Sequence, residues 1–379
     1  MPVSGQVQNP VPLLPEDNNG VLVELNSVPA SGASSSSGYL VLGIGTGSNK
    51  NNTPPASYTA IPLDSYGDFV TVLNSKSYNS SFIDTGSNGL FFPQISSNNL
   101  PVCRDAPGWY CPQTAFSNTA TMKGSQPGSP SASVSFTIEN FDTLTSGSNK
   151  EVFSDIGGPA PDNSTFDWGL PYFLGQNVFI AISGAATSLG TGPYFASGLY
   201  NGSQPSGDNV MPVSVGGAVP GITTYLNEPL VSVTVCVHGT DTCQAVDGIL
   251  LDTGSFGLRI FKQALTGLSL TPEPAGQGGQ LAECQQYADG TADWGPVELA
   301  DVQLGGEPAV YVPIQVIDST FQGSANCNGG TNLDSSPSVD GYNGILGVGY
   351  LQQDCGTSCA NANNIIPINQ SNWPYWSCK

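Results

Sequence analysis

The stretch Ser81-Phe82-Ile83-Asp84-Thr85-Gly86-Ser87-Asn88-Gly89-Leu90 returns later as Ile249-Leu250-Leu251-Asp252-Thr253-Gly254-Ser255-Phe256-Gly257-Leu258. Each copy is an apolar, strand-like run that enters Asp-Thr-Gly-Ser and resumes through x-Gly-Leu. One Asp-Thr-Gly is a common turn. Two in the same setting point to a duplicated unit. Each half also carries, at a closely matched distance downstream, two apolar residues followed by glycine: Phe173-Leu174-Gly175 and Ile345-Leu346-Gly347. The duplication predicts two related lobes, 1–200 and 210–379, with 201–209 as the linker. The Gly-, Ser- and Asn-rich stretch Ala186–Gly217 holds that boundary.

Composition narrows the class. Eight Lys+Arg against 29 Asp+Glu give a formal net charge of −21. That argues against a nucleic-acid partner, because phosphate affinity needs a positive surface, and against docking on anionic lipid. Charged residues make up only 10% and apolar residues 39%, which is not the profile of a disordered chain. With 47 Gly and 30 Pro, turns and strands are favoured over helices. Segments rich in β-branched and aromatic residues recur between turn signals: Gly20–Leu25, Tyr39–Ile44, Val134–Ile138, Val231–Val237 and Val310–Ile317. Phe261–Leu265 has room for a short helix, and Ser31–Ser37 reads as a loop. The expectation is an all-β protein with no membrane span, since no apolar run approaches 18 residues.

Nine cysteines suggest an oxidising, extracellular setting. Connectivity is not readable from sequence, but Cys103/Cys111, Cys236/Cys243 and Cys355/Cys359 are close neighbours, and Cys284 with Cys327 would close a longer loop. The odd number leaves one thiol over, for which Cys378 is the candidate. With one histidine, His238, and no Cys-x-x-Cys pair, neither a zinc site nor a Ser-His-Asp mechanism is expected. Gly43–Gly47 lacks the Gly-Lys-Ser/Thr of a phosphate loop.

The repeated motif carries chemistry if its two carboxylates meet. Gly86 and Gly254 permit a tight turn and close backbone approach. Thr85 and Thr253 are placed to hydrogen-bond across the lobes, and Ser87 and Ser255 to hold the outer carboxylate oxygens. Two carboxyl groups held close together do not ionise independently and share a proton. One member then takes a proton from water while the other protonates a carbonyl oxygen. That chemistry hydrolyses an amide with no metal or other cofactor.

These motifs resemble those of the pepsin-like aspartic peptidases. The resemblance implies a bilobed β-fold with a cleft between lobes and Asp84 and Asp252 as the catalytic dyad. It also implies a flap hairpin, for which Gln286–Gly295 is the candidate: Asp289-Gly290 supplies the turn, Tyr287 turns its hydroxyl to the cleft, and Trp294 stands nearby. In pepsin-like enzymes the flap-bearing lobe comes first; here that segment follows the second aspartate, so the lobe order looks circularly permuted. Arg259 stands where those enzymes usually hold an apolar aromatic, and is expected to pair with a surface acid. Asp167, beside Trp168, is expected to cap a turn.

A second resemblance, covering nearly the whole chain, is to an uncharacterised family of exported bacterial proteins. It rests on Asp17-Asn18-Asn19-Gly20-Val21, Phe166-Asp167-Trp168-Gly169-Leu170-Pro171, Trp294-Gly295-Pro296-Val297, Asn343-Gly344-Ile345-Leu346-Gly347-Val348-Gly349 and Asp354-Cys355-Gly356. In that family the piece resembling 210–378 normally comes first, which again implies permutation. The start, Met1-Pro2-Val3-Ser4-Gly5, has no signal peptide, so an exported form is expected to have lost its leader.

Together these readings lead to the expectation of an exported, monomeric aspartic endopeptidase acting on peptide or protein substrates in an acid medium. The competing expectation is a catalytically inactive secreted or surface protein that holds a peptide or glycan.

Overall fold

The computed structural model describes residues 1–47, 52–94, 100–147, 149–216, 225–276, 278–369 and 373–379. Strands dominate and the helices are short, so the chain is all-β as composition predicts. It divides into two compact units. The Asp84 unit comprises Glu16–Gly217 and Thr224–Pro229; the Asp252 unit includes Met1–Pro15 and Leu230–Lys379. Residues 201–209, the expected linker, lie within the bounds of the Asp84 unit.

In the Asp84 unit the strands are β1 (Gly20–Leu25), β2 (Ser36–Leu42), β3 (Ile61–Pro62), β4 (Phe69–Leu73), β5 (Lys76–Ile83), β6 (Leu90–Phe91), β7 (Phe116–Lys123), β8 (Ser131–Ile138), β9 (Gly157–Gly158), β10 (Thr165–Trp168), β11 (Gln176–Ala181), β12 (Ala186–Thr187), β13 (Gly190–Thr191), β14 (Tyr194–Leu199) and β15 (Val210–Val215). Helices α1 (Phe141–Thr145) and α2 (Leu170–Phe173) interrupt them. One sheet runs β8-β7-β4-β5-β10-β6-β9, and another layer runs β15-β2-β1-β11-β14-β3. β1 is buried at every residue, as suits an apolar run between two neighbours, β2 and β11. β8 alternates exposed and half-buried residues over most of its length, as suits a strand with one covered face. Ser31–Ser37 is only partly a loop, because β2 begins at Ser36.

In the Asp252 unit the strands are β16 (Pro229–Cys236), β17 (Cys243–Asp252), β18 (Phe256–Phe261), β19 (Thr271–Pro272), β20 (Gln280–Gln286), β21 (Ala292–Leu304), β22 (Val310–Ile317), β23 (Gly344–Val348) and β24 (Tyr375–Cys378). The short helix α3 (Pro337–Asp340) precedes β23. Phe261–Leu265 holds only a 3-10 turn, Lys262–Ala264.

The two units repeat one wiring. β10 lies between β5 and β6, parallel to the first and antiparallel to the second, with Trp168 opposite both Ile83 and Leu90. β23 lies between β17 and β18 in the same senses, with Leu346 opposite both Leu251 and Leu258. Ile83 and Leu251 each precede the motif aspartate, and Leu90 and Leu258 each end the motif, so the registers agree residue for residue. Outward from there β6 pairs in parallel with β9, and β18 with β22. β4 and β16 form the antiparallel partners of β5 and β17, and pair in turn with β7 and β21.

The two apolar-apolar-Gly segments take different places in this wiring. Ile345-Leu346-Gly347 does run beside the Asp252 motif. Phe173-Leu174-Gly175 does not run beside the Asp84 motif: Phe173 belongs to α2 and Leu174-Gly175 leads into β11. Phe166-Asp167-Trp168-Gly169 takes that place. Both glycines are required by close approach. A Cβ on Gly169 would stand 2.5 Å from the Ser87 carbonyl oxygen, and one on Gly347 would stand 2.6 Å from the Phe256 nitrogen. Asp167 is a buried residue of β10, opposite Phe82 and Phe91, rather than a turn cap.

The units differ in closure. β21, β22, β18, β23, β17 and β16 form a closed ring, because β21 pairs with both β22 and β16. In the Asp84 unit the role of β22 is split: β8 pairs with β7, β9 pairs with β6, and residues 139–156 intervene.

The disulfides are Cys103–Cys111, Cys236–Cys243, Cys284–Cys327 and Cys355–Cys359, leaving Cys378 as a buried thiol. These are the pairs that spacing suggests. Among the described residues no helix is long and apolar enough to cross a membrane.

Candidate functional site

Each Asp-Thr-Gly-Ser segment is a turn at the end of a buried strand, and each holds its aspartate in the same way. In the Asp84 loop the Gly86 N–H donates to Asp84 Oδ1 at 2.7 Å and the Ser87 hydroxyl donates to Oδ2 at 2.8 Å. In the Asp252 loop the Gly254 N–H donates to Asp252 Oδ1 at 2.7 Å and the Ser255 hydroxyl donates to Oδ2. Both carboxylates are thus aimed by a backbone N–H and a serine hydroxyl from their own loop. The Asp84 N–H donates to the Trp168 carbonyl at 3.0 Å, and the Leu170 N–H to the Ser87 carbonyl at 2.7 Å. The loop is therefore clamped to the strand that ends in Gly169. Thr85 and Thr253 are both buried. Within each loop the serine hydroxyl holds one carboxylate oxygen and the glycine N–H the other.

The expected flap residues stand differently. The hairpin forms from β20 and β21, and its turn spans Tyr287–Thr291, closed by Tyr287 N–H to the Thr291 carbonyl at 3.0 Å. Asp289 Oδ1 accepts from the Thr291 backbone and hydroxyl, and Gly290 has φ +90°. Tyr287, however, donates its hydroxyl to Asp293 Oδ2 of its own hairpin at 2.7 Å. Trp294 is fully buried against Cys284, Cys327 and Phe321, and donates Nε1–H to the Phe321 carbonyl. It is a core residue, because its strand partner is Cys284 in the covered layer.

Arg259 also departs from expectation. It is fully buried rather than paired at the surface: Nη2 lies 2.9 Å from Glu283 Oε1 and 3.0 Å from Asp354 Oδ1, and Nη1 donates to the Phe256 carbonyl. Tyr375 donates its hydroxyl to Asp354 Oδ2, extending the network to β24. Burial pushes Glu283 up against the opposing pull of Arg259. Nearby, Asp293 is pushed up to about 6 and Asp334 to about 9, in each case chiefly by burial. Glu283 and Asp354 reach Arg259 from distant parts of the chain, whereas Asp293 meets Tyr287 within its own hairpin.

The fold and loops define an all-β protein of two similarly wired units, each bearing an Asp-Thr-Gly-Ser turn. The chain belongs to the family described as "Protein of unknown function (DUF3443)", which it matches over residues 1–197 and 205–379. No curated protein matches it.

Proposed function

We propose that the protein is an aspartic endopeptidase, with Asp84 and Asp252 acting as a pair on a water molecule. The observation that carries the reading is the equivalence of the two loops: same strand register, same glycine beneath, same Gly N–H and Ser hydroxyl on the carboxylate. A two-carboxylate mechanism needs two acids, each held in a defined orientation by its own loop. When the pair holds one proton, the ionised member accepts a proton from water and the protonated member donates to the scissile carbonyl oxygen. The resulting diol collapses as the amine leaves with a proton returned by the pair.

The reading includes a pepsin-like bilobed fold with swapped lobe order, since the hairpin bearing Tyr287 follows Asp252. It also includes export, supported by the four disulfides. The competing reading is a binding protein without activity. It is favoured by the same hydrogen bonds, because an aspartate that only caps its own turn makes them too.

Cleavage of a denatured protein mixture, followed from pH 3 to pH 7 with and without pepstatin, tests the proposal. Acid-dependent cleavage within chains is expected, suppressed by the inhibitor. A folded protein that cuts nothing across this range would move the assignment to the binding reading.

A further inference from the structure

A groove of about 460 Å³ lies wholly within the Asp84 unit. Four consecutive β8 residues, Val134, Ser135, Phe136 and Thr137, line it, with Ser154 and Asp155 also contributing. β8 is the terminal strand of its sheet, and among the described residues no strand pairs with its outer side. The Glu139 N–H donates to the Asp155 carbonyl at 2.8 Å, so Ser154–Asp155 is tied back beside the end of β8. The opening exists because the ring that closes in the Asp252 unit is split here between β8 and β9.

The sister unit shows what occupies the corresponding edge. There Pro313 of β22 lies opposite Leu299, as Thr137 of β8 lies opposite Ser117. Carried through the pairings of β4 with β7 and of β16 with β21, Pro313 and Thr137 correspond. An N-terminal segment meets the first: the Gln8 N–H donates to the Pro313 carbonyl at 3.2 Å, and the Asn9 N–H to the Gln352 carbonyl at 2.8 Å. In the Asp84 unit the matching position opens on the groove.

We propose that this groove binds an extended, neutral or basic peptide segment, added as a strand along the free side of β8. A regular eight-residue edge without bulge, proline or lysine is a template for strand addition. The apolar wall of Phe136, Trp168 and Leu174 suits alternate apolar side chains. Among the described residues the lining carries one acid, Asp155, no basic side chain and one tyrosine, Tyr172; Glu139 lies close enough to act on Asp155 electrostatically. A basic residue in the peptide therefore finds an acid and no competing cation. A second copy of this chain is a poorer occupant, because each carries −21. Neither Asp84 nor Asp252 takes part, so this inference does not depend on the proposed activity.

Hydrogen–deuterium exchange on the full chain tests it. The probe is a pool of Lys-flanked octapeptides alternating Val, Leu or Phe with Ser or Thr. The comparison is the same pool N-methylated at alternate amides. The pool is expected to slow exchange across 131–138 saturably, and about tenfold more effectively than its methylated counterpart. Asp155→Asn is expected to weaken the Lys-flanked pool but not a norleucine-flanked one. No slowing at millimolar peptide, equal slowing by the methylated pool, or slowing that follows protein concentration alone would overturn the proposal, the last in favour of self-pairing.

Discussion

Arg259 shows how far one residue can depart from its local pattern. It sits in a strand whose other residues are apolar or glycine and all but Phe256 buried, and is accommodated because two acids from β20 and the 354 region converge on it. Removing the cation leaves those acids buried without their charge partner, which typically costs about 3–5 kcal/mol. Arg259→Met is therefore expected to lower the denaturation midpoint sharply. Adding Glu283→Gln to it should recover part of the loss, because one uncompensated acid is then gone. Chemical denaturation of the single and double variants checks this; equal midpoints for wild type and Arg259→Met would contradict the network. The arginine was legible in sequence as an anomaly. Its partners were not, because Glu283 and Asp354 are distant along the chain and nothing in the sequence around either one points to Arg259. Tyr287 and Trp294 make the complementary point. Their types fit a substrate-facing hairpin, but one hydroxyl is taken by Asp293 and the other ring fills the core.

At the scale of elements, the motif strands were legible and one partner strand was not. The two Asp-Thr-Gly-Ser repeats mark equivalent turns because strand, turn and return all fit within ten residues. The apolar-apolar-Gly pattern is less specific. Phe173-Leu174-Gly175 matches it, yet Pro171 stands at the start of α2, where its fixed φ favours a helical turn. The run Phe166–Gly169, whose Asp167 breaks the apolar pattern, is the strand beside Asp84. The glycine at each strand end then yields a prediction. Gly169→Ala or Gly347→Ala forces a Cβ into backbone atoms that belong to the motif loop. Each is expected to destabilise by about 1–3 kcal/mol through overpacking, and to disturb the loop it supports. Alanine at Gly128, whose Cβ would meet nothing within 4 Å but whose φ is +79°, controls for backbone strain alone. Thermal melts of the three variants check the order; a Gly347→Ala protein no less stable than the Gly128→Ala control would contradict the close-approach account.

For the whole molecule, the acids set the response to pH. Burial raises Glu24 to about 7, Asp68 to about 6, Glu228 to about 8, Asp293 to about 6 and Asp334 to about 9. Each of these folded-state values lies above the ordinary carboxyl value, so the folded chain binds more protons than the unfolded one between those limits. Stability from these groups is present below about pH 4 and is lost as pH rises toward 9. Melting temperature is expected to fall from pH 4 to pH 8. A rise over that range would contradict the burial of these carboxyls. Composition shows 29 Asp and Glu but not which of them hold protons, since that depends on burial fixed by tertiary packing.

The central claim is that Asp84 and Asp252 work as one catalytic pair. The most direct measurement compares wild type, Asp84→Asn and Asp252→Asn in the digestion of denatured protein at acid pH, with folding of each verified by circular dichroism. The account predicts cleavage by the wild type and its loss in both variants. Cleavage retained at wild-type rate in either folded variant would contradict it.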